Sequence, residues 1–122
     1  GRKYPALWNN AMQIVTSQVS DVTVITLAGS LDAASVADFD AEWKAALDGG
    51  ATKLVVDLGG IEYISSAGLR GILMLSKTAR AGNVRVIFSD LRSMVADMFK
   101  LSGFMNILRT EPDTASAVRE LS

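Results

Sequence analysis

The spacing of apolar residues divides the chain into alternating strands and helices. In the stretch VADFDAEWKAAL, Val36, Phe39, Trp43 and Leu47 recur at helical spacing and would share one face. The run KLVVDL is short and almost continuously apolar, which is typical of a strand covered on both faces. The predicted elements are a β-hairpin over 12–32 that turns at Ser20 and Asp21, strands over 53–58, 84–88 and 105–109, and helices over 32–50, 66–82, 89–103 and 113–122.

Glycines and short polar residues refine these boundaries. Gly29 is predicted to end the second strand, and residues 59–64 are predicted to connect the third strand to a helix. Ser35 followed by Asp38 fits a capping box at the first helix, although Asp32 could cap a slightly earlier start. The resulting order β-β-α-β-α-β-α-β-α predicts an α/β fold, with a mixed, mostly parallel sheet and about four helices.

The length of 122 residues suits one domain. Residues 1–11 have no clear period and precede Met12, so we interpret them as an added or upstream segment. Residues 12–122 are then the domain itself.

Two absences narrow the possible chemistry. The chain contains no cysteine and no histidine, which excludes disulfides, thiolate chemistry, a Ser-His-Asp triad and imidazole zinc sites.

The formal net charge is −1, and the charges are dispersed, which disfavours nucleic acid as the main partner. No apolar run approaches the ~20 residues of a membrane span. We therefore expect a cytoplasmic protein that binds no membrane, cofactor or metal.

Two adjacent hydroxyls interrupt an apolar run in ISSAGLRG. Ser66 stands where a helix N-cap is expected, and Ser65 precedes it. The following Ala67 and Gly68 are small and would leave the hydroxyls accessible to a large partner. Backbone N–H groups at a helix start also suit an anion. The pair is therefore either a helix cap or a site that can carry a phosphoryl group.

Three segments resemble one known family. VVDLGGIEYISSAGLRGIL, LAGSLDAASV and MFKLSGF occur in this order and resemble segments of STAS domains, specifically bacterial anti-sigma factor antagonists. The resemblance covers about residues 12–121. It implies a single-domain STAS-like fold.

The resemblance also implies a mechanism called partner-switching. The unphosphorylated antagonist binds an anti-sigma factor that is also a serine kinase of the GHKL type, and so releases a sigma factor. The kinase phosphorylates a serine at the start of the second helix, which weakens the complex, and a PP2C-type phosphatase removes the phosphate. Aligned on Gly68, Ser66 takes the phosphoserine position, while Ser65 replaces the usual aspartate and stays an alternative acceptor.

A contact surface for the kinase is expected around these serines. The family pattern places Asp32, and less firmly Ser30, beside the phosphorylation site. Arg70, Met74 and Lys77 fall on the exposed face of the helix that begins near Ser66. The full predicted partner-binding set is Asp32, Ser30, Ser65, Gly68, Leu69, Arg70, Met74 and Lys77.

Other function classes fit less well. Asp57 ends a predicted strand, at a place comparable to the phosphoryl aspartate of a receiver domain, but ITLAGS offers no acidic pair to hold Mg²⁺. Asp57 is therefore predicted to be a turn or capping residue. An enzyme that uses Ser66 is disfavoured because histidine and a GxSxG motif are absent. The main alternative is a non-phosphorylated STAS module of a transporter or larger sensory complex.

Overall fold

The computed structural model describes residues 12–122, and the interpretation of residues 1–11 lies outside the described residues. The described part of the chain forms one five-stranded sheet, four α-helices and a short 3₁₀ helix. The elements in chain order are β1 Gln13–Val19, β2 Val22–Leu31, α1 Val36–Asp48, β3 Lys53–Ile64, α2 Ser66–Ala81, β4 Arg85–Ser89, α3 Ser93–Leu101, the 3₁₀ helix Phe104–Asn106, β5 Thr110–Glu111 and α4 Thr114–Leu121. In this range no helix combines the length and the apolar character needed to cross a bilayer.

The sheet has the order β1-β2-β3-β4-β5. β1 pairs antiparallel with β2, and every later pair of neighbouring strands is parallel. The predicted mixed, mostly parallel α/β architecture with about four helices is therefore confirmed.

Alternating side chains of the central strands pack into two apolar clusters on opposite faces of the sheet. On β3, Val56 belongs to the larger cluster and the adjacent Val55 belongs to the smaller one. The larger cluster includes the helix residues Phe39, Trp43, Ile72, Leu75, Val95 and Phe99. The smaller cluster includes Ala117 and Leu121. The helices α1, α2 and α3 thus cover one face, and α4 covers the other.

Both β2 and β3 run further than the glycines suggest. Gly29 adopts φ +97° inside β2, and the register with β3 shifts there, so the strand continues to Leu31. This corrects the prediction that Gly29 ends the strand, because a glycine in a strand can also supply an irregularity. β3 likewise includes the predicted connection 59–64. A Cβ at Gly60 would lie 2.7 Å from the Ala28 Cβ, so this glycine allows the two strands to approach.

The start of α1 differs from the predicted capping box. Ser35 makes no side-chain cap; its hydroxyl donates to the carbonyl of Ser30 at 2.7 Å. Asp32 Oδ1 accepts from the backbone N–H of Ala34 and of Ser35 at 3.0 and 3.2 Å. The Ser35–Asp38 box is therefore wrong, since Asp32 orders the turn before the helix.

The predicted strand over 105–109 is also wrong. The chain forms a 3₁₀ helix at Phe104–Asn106, and β5 is limited to Thr110–Glu111. Phe104 and Leu108 are both buried, and the N–H of Leu108 donates to the carbonyl of Phe104 at 2.8 Å. Residues four apart share a face in a strand as well as in a helix, so the burial of these two side chains fits either element. The hydrogen bond between residues four apart is what identifies a helical turn here.

Candidate functional site

Ser65 caps the helix that follows β3. Its backbone is extended, with φ −96° and ψ 175°, and its Oγ accepts from the N–H of Gly68 at 3.2 Å. The N–H of Ser65 donates to the carbonyl of Leu31 at the end of β2. The sequence predicted Ser66 as the N-cap. The structure shows that the N-cap is the preceding residue, Ser65. Ser66 is instead the first residue of α2.

Ser66 combines an exposed hydroxyl with available donors. Its side chain makes no hydrogen bond to any residue in the range 12–122. The first N–H groups of a helix have no partner within the helix, and in the described structure those of Ser66 and Ala67 have none elsewhere. The helix dipole and these N–H groups favour a negative charge there. A phosphoryl group could therefore attach to Ser66 without breaking the Ser65 cap.

Gly68 brings the end of β2 against the start of α2. A Cβ at this position would overlap the carbonyl oxygen of Leu31. Leu69 is only 8% exposed and belongs to the larger apolar cluster. The prediction that Gly68 and Leu69 contact a partner does not fit their burial. Both residues position the surface above them.

The exposed face of α2 continues this surface. Arg70, Met74 and Lys77 are exposed, as the sequence predicts, and Met74 is 50% exposed. A cavity of about 150 Å³ lies between α1 and α2, with Asp40 and Arg70 among its lining residues. The two helices approach closely because Gly71 faces Val36, where a Cβ would lie 2.6 Å from the Val36 Cγ2. This face therefore offers a shallow groove with polar groups at its rim.

The carboxyl end of β2 completes the surface. Ser30 on β2 pairs with Tyr63 on β3. Asp32 directly follows Leu31, the last residue of β2, whose carbonyl accepts from the N–H of Ser65. Ser30 and Asp32 are both partly exposed. Tyr63 is 53% exposed and was not among the predicted site residues. The sequence places it in a connection, so its orientation beside Ser30 could not be inferred.

The distinct roles of the two serines give a stability prediction. Replacing Ser65 by Ala should lower the free energy of unfolding by about 1 kcal/mol, because the Gly68 N–H loses its acceptor. Replacing Ser66 by Ala should change it by less than about 0.5 kcal/mol, as for other exposed side chains. Urea unfolding of both variants measures the difference, and equal effects would contradict this assignment of the cap.

A polar cluster beside β3 and β4 has a structural role. Asp57 Oδ1 accepts from the N–H of Gly59, and its Oδ2 accepts from the Thr114 hydroxyl, both at 2.8 Å. The prediction that Asp57 is a turn or capping residue is therefore wrong, because β3 continues through it to Ile64 and its carboxylate braces the strand from within. The Thr114 hydroxyl also lies 3.1 Å from Asp90 Oδ2. Burial raises the pKa of Asp90, the Thr114 hydrogen bond opposes this shift, and the nearby Asp57 charge adds to it. These contacts attach the start of α4 to the sheet.

No metal centre is found in the described part of the chain. Residues 12–122 contain no group of three or more acidic side chains placed to hold an ion. The site around Ser66 consists of an exposed hydroxyl, backbone N–H groups and the shallow groove between α1 and α2.

Comparison with known families agrees with this fold. The model of the family described as "Mlab, STAS domain" matches residues 14–110. The chain belongs to the STAS domain family. BtrV of Bordetella bronchiseptica, a candidate anti-sigma factor antagonist, is 32% identical over 96 residues, which cover 79% of this chain and 83% of BtrV.

Solved structures of other proteins share the architecture. An anti-sigma factor antagonist from Mycobacterium paratuberculosis superposes with a TM-score of 0.85 at 15% identity, covering 92% of this chain and 95% of that one. The phosphorylated form of the Bacillus cell fate determinant SpoIIAA superposes with a TM-score of 0.72 at 20% identity, covering 90% and 100%. At these identities the likeness shows the fold alone.

Proposed function

We propose that this STAS domain is an anti-sigma factor antagonist that works by partner-switching. Its unphosphorylated form binds an anti-sigma factor that is a serine kinase of the GHKL type, and so releases a sigma factor. Phosphorylation at Ser66 abolishes binding, and a PP2C-type phosphatase restores it. The protein has no catalytic activity of its own and acts in the cytoplasm, where the kinase finds ATP.

The main support for this proposal is that the two adjacent serines have different roles in the structure. Ser65 is occupied as the helix cap, while Ser66 presents an exposed hydroxyl at the first helical residue. A kinase can reach the Ser66 hydroxyl without opening the fold. The similarity to BtrV supports the assignment to antagonists, and SpoIIAA, which shares this fold, has a phosphorylated form.

The charge of the phosphate explains how one modification could break the complex. Phosphorylation adds about −1.5 to −2 charges at neutral pH. In the free domain the phosphate stays in water beside the N–H groups of Ser66 and Ala67. In a packed interface the same dianion must lose water, and burying a charge without good partners costs several kcal/mol. The switch therefore needs no large change of the backbone.

The proposed contact surface surrounds Ser66 on three elements, the ends of β2 and β3 and the helix α2. Ser30, Asp32 and Ser65 lie at the strand ends, and Arg70, Met74 and Lys77 lie along α2. Met74 is an exposed, flexible apolar side chain of the kind that adapts to partner surfaces. Arg70 lines the groove next to Ala67, so a partner seated there would also cover Ser66.

Phosphorylation by the bound kinase tests the proposal. The unmodified protein would be used to capture its kinase, and the purified pair would be incubated with ATP and Mg²⁺. We expect a single added phosphate, located on Ser66 by peptide mass spectrometry and absent from the Ser66→Ala variant. The Ser65→Ala variant should still be modified. Phosphate on Ser65 alone, or on neither serine, would refute the assignment of Ser66.

A further inference from the structure

The two edges of the sheet are protected to different degrees. The β5 edge has only two residues, one of them Glu111, and Pro112 follows directly. Short, charged and proline-flanked edges resist pairing with another strand. The β1 edge has seven residues, QIVTSQV, with no charge and no proline. In the described structure no strand lies on the outer side of β1.

β1 also carries apolar side chains that are exposed on the surface of the domain. Val15 is 63% exposed and Val19 is 45% exposed. Val19 pairs with Val22, whose side chain lies in the cluster on the α4 face of the sheet. Since residues two apart share a face, Val15, Ser17 and Val19 all point to this side. Every second residue of an edge strand also directs its N–H and C=O groups away from the sheet. As far as the structure describes the chain, β1 therefore presents N–H and C=O groups without partners, with two exposed valines beside them.

We propose that β1 pairs antiparallel with β1 of a second copy of this chain. The two-fold axis passes beside Ser17, so that Ser17 faces Ser17 of the other copy. In this register each Val15 lies opposite Val19 of the second copy, and such cross-strand apolar pairs stabilise sheets. The two five-stranded sheets become one continuous sheet.

The sequence of β1 favours a second copy over a charged partner. A strand without ionisable side chains can pair with itself without setting a charged residue of one β1 opposite a like charge on the other, as an isologous interface requires. The carboxylate of Glu42 accepts from the Thr16 hydroxyl on the α1 side of the sheet. Within residues 12–122, β1 is the one long open edge of the sheet, so the association ends at two copies. An interface of one strand pair is small, so the dimer forms reversibly and depends on concentration. It uses no residue of the surface around Ser66.

The mass in solution tests the dimer. Sedimentation equilibrium of the 122-residue chain should show a mass rising from 13.0 kDa toward twice that value as concentration increases. The Val15→Lys variant should stay monomeric, because it removes the apolar pair with Val19 of the second copy and puts a charge against that valine. Leu101→Lys is the matched control: Leu101 is 85% exposed on α3, and this variant should dimerise as the original does. Circular dichroism should show the same fold for all three.

Single cysteines test the register, since the chain has none of its own. Ser17→Cys should form an intermolecular disulfide under mild oxidation with copper–phenanthroline in air. Val19→Cys is the control: the two cysteines would be separated by four residues along the strands, about 13 Å. This separation is beyond the roughly 7 Å that a disulfide spans between Cα atoms.

Several results would overturn the proposal. These are a mass of 13.0 kDa at every concentration, a Val15→Lys variant that dimerises like the original, and assemblies larger than two copies. Equal cross-linking of the two cysteine variants would also overturn it. If Val15→Lys fails to fold, the difference in disulfide cross-linking between Ser17→Cys and Val19→Cys is by itself the test of the dimer. The Ser66 phosphorylation experiment is independent, so either proposal can fail without the other.

Discussion

The Ser66→Asp variant should bind the anti-sigma kinase about 100-fold more weakly than the original protein, which corresponds to ~3 kcal/mol. The added carboxylate stands where a packed interface would have to desolvate it, at the exposed first residue of α2. Ser66→Ala should bind as the original does and should resist inactivation by ATP. Isothermal titration with the purified kinase measures both affinities.

Ser93 provides a matched control for this charge. Like Ser66, it is an exposed serine at the first residue of a helix, but it belongs to α3 and lies outside the proposed surface. Ser93→Asp adds the same charge in the same local setting and should leave the affinity unchanged. If both aspartate variants lost affinity equally, the effect would come from net charge and not from the place of Ser66.

The Gly68→Ala variant should lose about 3 kcal/mol of stability, at the upper end of the usual cost of overpacking. The added methyl group would overlap the Leu31 carbonyl oxygen, which is backbone and cannot rotate away. The strand end that carries Asp32 would have to move from the helix start. Urea unfolding, followed by circular dichroism, measures the loss.

Gly82 is the matched control for this substitution. It ends α2 at φ −97°, and a Cβ there would lie 3.6 Å from its nearest neighbour, the Thr78 carbonyl oxygen. Gly82→Ala should therefore be neutral or raise stability by about 0.4–1 kcal/mol, through the lower entropy of the unfolded chain. A Gly68→Ala variant as stable as Gly82→Ala would show that close contact with Leu31 is not required.

The fold was predictable because periodic apolar patterns are strong signals. The four helices and their alternation with strands along the chain follow from spacings such as Phe39 to Trp43 and from the run KLVVDL. The structural roles of the glycines were harder to predict. Gly29 and Gly60 read as breaks, yet one supplies a positive φ inside β2 and the other lets two strands approach. Which role a glycine has depends on its neighbours in space, and the sequence does not contain those.

The candidate site was predictable in position but not in detail. The ISSAGL stretch does begin a helix, and Arg70 and Met74 are exposed as expected. Either serine could have capped that helix, and only the extended backbone of Ser65 decides which one does. The burial of Leu69 and the exposure of Tyr63 depend on how β2, β3 and α2 meet, which no local pattern encodes.

The most direct measurement compares the kinase affinity of one protein sample before and after phosphorylation at Ser66. The phosphorylated protein would be prepared with kinase and ATP, purified, titrated against fresh kinase, and titrated again after treatment with a PP2C-type phosphatase. We predict a loss of about two decades in affinity that the phosphatase fully reverses. An affinity that is the same with and without the Ser66 phosphate would contradict the account.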